Sequence, residues 1–455
     1  MSLKRRLVNA FAASILGPLV TILVQLVNVP VMLRFWGAGL YGEWLLISTI
    51  PAYLLLTDMG FGNVAGSDMT MRAHAGDREG AIETFQSIAL LVLCISFGLG
   101  LLLSVVIFIV PIHRILHLTA MSPRETQMAL FFLCLNCLVI LQWSVIMAAY
   151  RCDNNYARGM LYVNTIRITE GVSFLVLLVT HAGPEHLAML MLGVSVAGTT
   201  LLLVEKRRLI PWLPLGVRHA SWHRIRELAH PAFAFMAFPA GSAISLQGTT
   251  LMVGIIMGPL AVAVFNPMRT LSRTVFQLTD AVKSSVWPEL SAAYGQQNWE
   301  LARKLHRTAC QVALWLAGLA AFGLAVTGPK IFELWTHGRV VMDVPTFYLL
   351  LAAVLVNSTW NASAAVPMAA NRHERLAGLY LVCTSLALGV GYILTRHIGL
   401  SGAAASVVLC DIGMSVYVVR MSNRLVSDQW PAFAASMLDM TQFNVVRAKL
   451  RRRQV

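Results

Sequence analysis

Apolar stretches of about 20 residues, the length a helix needs to cross a bilayer, alternate with short polar connections along nearly the whole chain. They fall near 10–33, 40–62, 85–110, 127–149, 161–181, 186–203, 231–255, 260–286, 308–328, 346–369, 376–396 and 402–420. The pattern predicts an all-α integral membrane protein of about twelve transmembrane helices. The chain divides into an N-terminal six-helix lobe (1–204), a linker (205–230), a C-terminal six-helix lobe (231–420) and a basic tail (421–455).

The eighth span breaks the apolar pattern in an ordered way. It carries Arg269, Arg273, Asp280 and Lys283. At about 100° per residue, with Arg269 as zero, Arg273 falls near +40°, Asp280 near +20° and Lys283 near −40°. All four share one narrow face. Each charge costs about 2.5–3.5 kcal/mol at mid-bilayer, so such a face is expected to look into protein or water. Three cations against one carboxylate suit an intramembrane anion.

Other spans carry isolated polar positions. Asp58 sits near the end of the second span, before Gly60 and Gly62, where a helix cap and a role in transport are both open. Arg167 and Glu170 stand at i, i+3 in the fifth span, able either to neutralise each other or to line the same cavity as the Arg269 face. The tenth span holds Asn357, Ser358, Thr359, Trp360, Asn361 and Ser363, a polar and aromatic set that suits sugars or, equally, hydrogen bonds between helices. Asp411 lies in the twelfth. With no nucleotide-binding loop present, the carboxylates Asp58, Glu170, Asp280 and Asp411 are the candidates for coupling to a proton or sodium gradient.

Composition agrees with the span count: 57% of residues are hydrophobic and 12% charged. The formal charge of +14 reflects topology. Of 35 Lys and Arg, 25 fall in alternate connections beginning with the N-terminus and only 6 in the others. The positive-inside rule therefore puts both termini in the cytoplasm, and nucleic-acid binding is disfavoured. MSLKRR resembles the start of a secretory signal, but the apolar run after it is too long, so it reads as the first helix. The seven cysteines lie in or beside spans. Cys134 and Cys137 have redox spacing but read as packing, and no histidine set suggests a metal. No cofactor is expected. The segment from Glu205 to His230 holds six basic residues with Trp212, Trp222 and Ile225, and reads as a linker lying on the cytoplasmic membrane surface. The end of the tail, RAKLRRRQV, reads similarly.

The two lobes read as repeats. Trp36-Gly37 and Trp44 match Met257-Gly258 and Phe265 at an offset of 221 residues. Glu79-Gly80-Ala81 matches Glu300-Leu301-Ala302, and Met147-Ala148-Ala149-Tyr150-Arg151 matches Met368-Ala369-Ala370-Asn371-Arg372, at the same 221. Six spans per lobe give both copies the same orientation, which predicts pseudo-twofold symmetry around a central cavity.

The block PVMLRFWGAGLYGEWLL followed by TDMGFGN, with twelve spans in a 6 + 6 repeat, resembles the bacterial polysaccharide-export flippases. These are the O-antigen and teichoic-acid type transporters of the multidrug/oligosaccharidyl-lipid/polysaccharide superfamily. The resemblance runs to about residue 420. It implies a non-enzymatic transporter in the cell (inner) membrane that moves an undecaprenyl pyrophosphate-linked oligosaccharide outward, among membrane lipids and other polysaccharide-assembly proteins. Arg34, Arg269 and Arg273 fit that family's intramembrane cations. With Lys283 and Arg167 they form the expected anion-binding set, and Asn357, Trp360 and Asn361 the expected sugar contacts. Two alternatives stand beside it: a multidrug or organic-ion antiporter of the same superfamily, which would want a carboxylate-dominated cavity, and a membrane polymerase or glycosyltransferase, which would want large external loops.

Overall fold

The computed structural model describes residues 3–58, 60–370 and 372–438, and within them side chains outside 3–23 and a few scattered positions. No strand occurs among the described residues. The order is α1 (Leu3–Leu54), α2 (Phe61–His74), α3 (Arg78–Ile109), α4 (Ile112–Ile115), α5 (Pro123–Cys152), α6 (Tyr156–Val179), α7 (Pro184–Leu209) and α8 (Trp222–Ala243). It continues with α9 (Thr249–Met257), α10 (Pro259–Gly295), α11 (Trp299–Trp335), α12 (Val344–Ser363), α13 (Ala365–Ala369), α14 (His373–Ile398), α15 (Leu400–Leu425) and α16 (Trp430–Leu438).

Among the described residues nine helices are long and apolar enough to cross a membrane. Nine of the twelve expected spans correspond to them, and the other three differ for physical reasons. The first two spans are the arms of α1, which turns at Gly37 (φ 73°, ψ 174°). The second arm does not run unbroken to residue 62: a 3₁₀ turn at Leu55–Asp58 and a left-handed Gly60 (φ 72°) end it, and α2 carries the chain on. The eighth span is α10, a helix of 37 residues whose charges lower its hydropathy.

The repeat is written in the backbone. Gly37 and Gly258, 221 residues apart, share one unusual conformation, φ 73° with ψ 174° and φ 84° with ψ 173°. Gly76 (φ 85°) matches Gln297 (φ 55°), and His117 (φ 52°) matches Gly338 (φ 67°), at the same spacing. Helix α3 begins at Arg78 and α11 at Trp299, α5 at Pro123 and α12 at Val344, again 221 apart. Even the caps correspond: Asp77 Oδ1 accepts the Gly80 N–H at 2.9 Å, and Asn298 Oδ1 accepts that of Leu301 at 3.1 Å.

Two compact units are present. Unit one comprises residues 1–267 and Glu333–Val341, and unit two Met268–Phe332 with everything from Met342. Residues 231–267, expected in the second lobe, pack with unit one because α9 and the start of α10 lie against α1. A side chain at Gly42 would meet the Pro259 carbonyl, a Cβ there falling 2.0 Å from the oxygen. Gly254 has Leu46 at a similarly tight distance. Thr250 Oγ1 lies 3.1 Å from Asn266 Oδ1.

The linker is also shorter and more buried than its composition suggests. Glu205 belongs to α7 and Trp222–Ala243 form α8, leaving 210–221 as the connection. It is strapped onto unit one: Ile210 and Leu213 are buried, Gln86 binds the Pro214 carbonyl and the His219 N–H, and Ser87 accepts from the Ser221 N–H. The buried Lys206 ammonium donates to the Leu213 carbonyl and lies 4.3 Å from the Phe85 ring centroid. Trp212 donates to Asp153 at 3.0 Å. Of the expected surface anchors, Trp222 is 73% exposed and keeps that character, while Trp212 is partly buried. The expected tail from 421 starts instead inside α15. Asp428 then pairs with Arg307, and Phe433 of α16 stacks on the buried His306 at 5.1 Å. Residues 439–455, with the basic RAKLRRRQV end, lie outside the described residues.

Candidate functional site

The face read from α10 meets α12 and α15 inside unit two. Along α10, Asp280 Oδ1 sits 2.5 Å from Lys283 Nζ, an i, i+3 pair. Asn361 of α12 ties into both: its Oδ1 accepts from Lys283 at 3.0 Å and its Nδ2 donates to Asp280 at 3.3 Å. One turn back on α12, Asn357 Nδ2 and Trp360 Nε1 donate to the same Oδ1 of Asp411, at 2.8 and 2.9 Å. Asp411 is 6% exposed and Trp360 7%. Burial without such donors would leave a carboxylate strongly destabilised, so the pair of N–H groups fixes where it points.

Arg273 stands near the second of these groups. It lies within electrostatic reach of Asp411 and of Tyr380 on α14, although no ion pair joins it to Asp411 among the described residues. Its guanidinium is 5.5 Å from the Phe276 ring centroid. Arg269, one turn earlier, is close enough to Arg273 for the two charges to repel. Two like charges held together in a largely desolvated site are costly unless an anion or carboxylate compensates them.

Eight sequence-predicted residues thus come together: Arg269, Arg273, Asp280, Lys283, Asn357, Trp360, Asn361 and Asp411. Several of them meet partners within the protein. Asn357, Trp360 and Asn361, expected to meet sugar, direct their hydrogen bonds to Asp411 and Asp280, which is the helix-to-helix alternative. Asp280, a candidate coupling carboxylate, is engaged by Lys283. The expected anion-binding ammonium of Lys283 is correspondingly held by Asp280 and Asn361.

The remaining predicted residues lie in unit one. Arg34 is exposed and 6.0 Å from the Phe35 ring centroid, beside the Gly37 turn. Arg167 is exposed on α6 and Glu170 partly buried, and no ion pair links them among the described residues, although the arginine lies within electrostatic reach of the carboxylate. The backbone of Asp58 ends the 3₁₀ turn, and its side chain lies outside the described residues. Cys134 and Cys137 are free thiols, and Cys134 packs in the apolar core of unit one.

The sequence reading missed Tyr380, whose ring sits 5.6 Å from Trp360. A lone tyrosine in an apolar span carries no pattern that would single it out. It also missed Glu43, a buried carboxylate of α1 that accepts the backbone N–H groups of Thr119, Ala120 and Met121 at 2.5, 2.7 and 2.8 Å. A carboxylate directly after Gly42, inside an apolar span, was the available signal, masked by the surrounding aromatic cluster. Among the described residues no group of three or more His, Cys, Asp or Glu side chains could hold a metal ion.

Neither a protein-family model nor a curated protein matches the chain. Solved structures do. An inward-facing multidrug resistance MATE family transporter of the MOP superfamily aligns with a TM-score of 0.71 at 16% identity, covering 89% of this chain and 94% of that one. An outward-facing structure of a multidrug resistance MATE family transporter aligns at 0.66 and 15%, covering 93% and 96%. A Vibrio cholerae MATE transporter aligns at 0.60 and 15%, covering 93% and 98%. At such identities the likeness shows the fold: an all-helical, multi-pass membrane protein built like the MATE transporters.

Proposed function

We propose that the chain is a transporter that carries an undecaprenyl pyrophosphate-linked oligosaccharide from the cytoplasmic to the outer leaflet of the inner membrane by alternating access, with both termini cytoplasmic. The observation that carries this reading is the arginine pair on α10. Arg269 and Arg273 are one turn apart on one face of α10 and near enough to repel, and Asp411, within electrostatic reach of Arg273, takes hydrogen bonds from Asn357 and Trp360 as well. A diphosphate supplies the charge such a pair wants, and guanidinium groups bind phosphate oxygens bidentately. Solved neighbours in both inward- and outward-facing states support alternating access as the mode of movement. Coupling to a proton or sodium gradient through Asp411 or Glu170 fits the buried or partly buried positions of both. Partners in this reading are membrane lipids and other membrane proteins of polysaccharide assembly.

A second reading, export of organic ions, is favoured by the neighbours themselves, which are described as multidrug transporters. It requires a site dominated by carboxylate, whereas the unit-two cluster holds three cations against two carboxylates. The test is made in cells that depend on this chain for surface polymer. Arg269→Ala and Arg273→Ala, expressed at normal membrane levels, should each lower surface polysaccharide about tenfold or more and accumulate lipid-linked precursor, since each charge-assisted contact is worth about 1.5–3 kcal/mol. Normal polymer in the double variant would remove the reading.

A further inference from the structure

We propose that Asp411 is an internal competitor for the anion: ionised, it occupies the field of Arg273, and on taking a proton it releases that arginine to the substrate, so that proton and anion bind together. The inference rests on the anionic-substrate reading above and adds a coupling mechanism to it.

The geometry suits a group that must change charge without changing place. Both donors, Asn357 Nδ2 and Trp360 Nε1, converge on one oxygen, Oδ1. An oxygen that accepts two N–H groups keeps both bonds when the carboxyl is neutral, because it is then the carbonyl oxygen and the proton resides on Oδ2. Protonation therefore removes a charge facing Arg273 and leaves the side chain where it was. A carboxylate held only by an ion pair would instead let go.

The surroundings leave Arg273 as the charge that feels the change. On α14 the titratable neighbours are Tyr380, within reach of Arg273, and Cys383, which faces Cys410 beside Asp411. The other ionisable groups of α14, His373, Glu374, Arg375, Tyr392, Arg396 and His397, lie toward its ends. Helix α12 contributes only Tyr348, near its start, and α13 and α16 contribute none. On α10, Asp280 is already held by Lys283. With Asp411 ionised the formal charge of Arg269, Arg273, Lys283, Asp280 and Asp411 is +1, and with Asp411 neutral it is +2, matched to a diphosphate dianion.

The test uses the full chain in lipid nanodiscs with farnesyl pyrophosphate as the probe. The affinity of wild type is compared with that of Asp411→Asn from mildly acidic to mildly alkaline pH. The ratio removes the probe's own loss of phosphate charge in acid. Wild type should match the variant in acid and fall about tenfold behind it in alkali, a typical coupling between two sites. Calorimetry in buffers of different ionisation heat should show wild type taking up a fraction of a proton on binding, at most about half for a tenfold coupling, over the pH range in which the ratio changes, and the variant losing that uptake. A constant ratio with no difference in proton uptake would overturn the proposal while leaving the anion site intact. Binding by Asp411→Asn weaker than wild type at every pH, with an unchanged melting temperature, would also overturn it. Arg273→Lys, which keeps the charge, separates misfolding from loss of coupling: it should bind more weakly yet still lose its pH dependence when Asp411→Asn is added. No binding of the probe by any form would remove the anionic-substrate reading and the proposal with it.

Discussion

The two copies of the repeat share their turns and differ in their chemistry. Gly37 and Gly258 adopt the same backbone geometry, and the starts of α3 and α5 recur in α11 and α12 at one spacing. Yet where the second copy has Arg269, Arg273, Asp280 and Lys283, the first has Ser48, Ala52, Met59 and Gly62. Opposite Trp360 and Asn361 stand Val139 and Ile140. Backbone geometry is set by a few residues, such as a glycine at positive φ or a cap, so it survives divergence. A charged cluster depends on every member, so one copy can lose or gain it while the fold persists.

The first copy has a polar device of its own, and breaking it should give the larger structural effect. Glu43, itself buried, satisfies three N–H groups of the connection before α5, that of Met121 buried with it, and Val264 stands at the corresponding position of the second copy. Glu43→Ala strands those donors and should cost about 1–3 kcal/mol, read as a lower melting temperature and faster amide exchange at 119–121. Val264→Ala should not loosen the matching connection. Equal exchange in Glu43→Ala and wild type would show that water replaces the carboxylate without loss.

A smaller contrast lies at the matched caps. The Gly80 N–H and then Arg72 hold the Asp77 carboxyl below its usual range, and that outweighs the slight burial that would raise it. A group whose folded pKa is depressed stabilises above its ordinary value of 3.8 and loses that contribution as pH falls through the lower folded value. Asn298 has no such dependence. Amide exchange, corrected for intrinsic rates, should therefore rise at 79–81 but not at 300–302 as pH drops below about 4. Identical responses would mean that the charge on Asp77 contributes nothing to the start of α3.

Much of this is legible in the amino-acid sequence. The spans follow from hydropathy, and the repeat from three short matches, of which the Gly37 and Gly258 pair sits at corresponding turns and the Glu79 and Glu300 pair at the starts of α3 and α11. The face of α10 could be drawn because all its members lie on one helix with a fixed period. What could not be read was partnership across distance. Asn357 and Trp360 reach Asp411 more than fifty positions away, and nothing in a polar tenth span distinguishes a bond to another helix from a bond to a ligand. Burial of the linker was hidden for a similar reason. Its basic composition is real, but Ile210 and Leu213 are anchors only because Gln86, Ser87 and Phe85 are folded beside them.

The central claim is that the second copy's arginines make this chain a carrier of anions. It is tested most directly by giving those positions the first copy's residues, Arg269→Ser with Arg273→Ala, and measuring binding of farnesyl pyrophosphate and of the organic cation tetraphenylphosphonium to wild type and double variant in nanodiscs. The account predicts that wild type binds the pyrophosphate and discriminates against the cation, and that the double variant loses at least about tenfold in pyrophosphate affinity per arginine removed. Undiminished pyrophosphate binding by the variant, or wild-type preference for the cation, would contradict it.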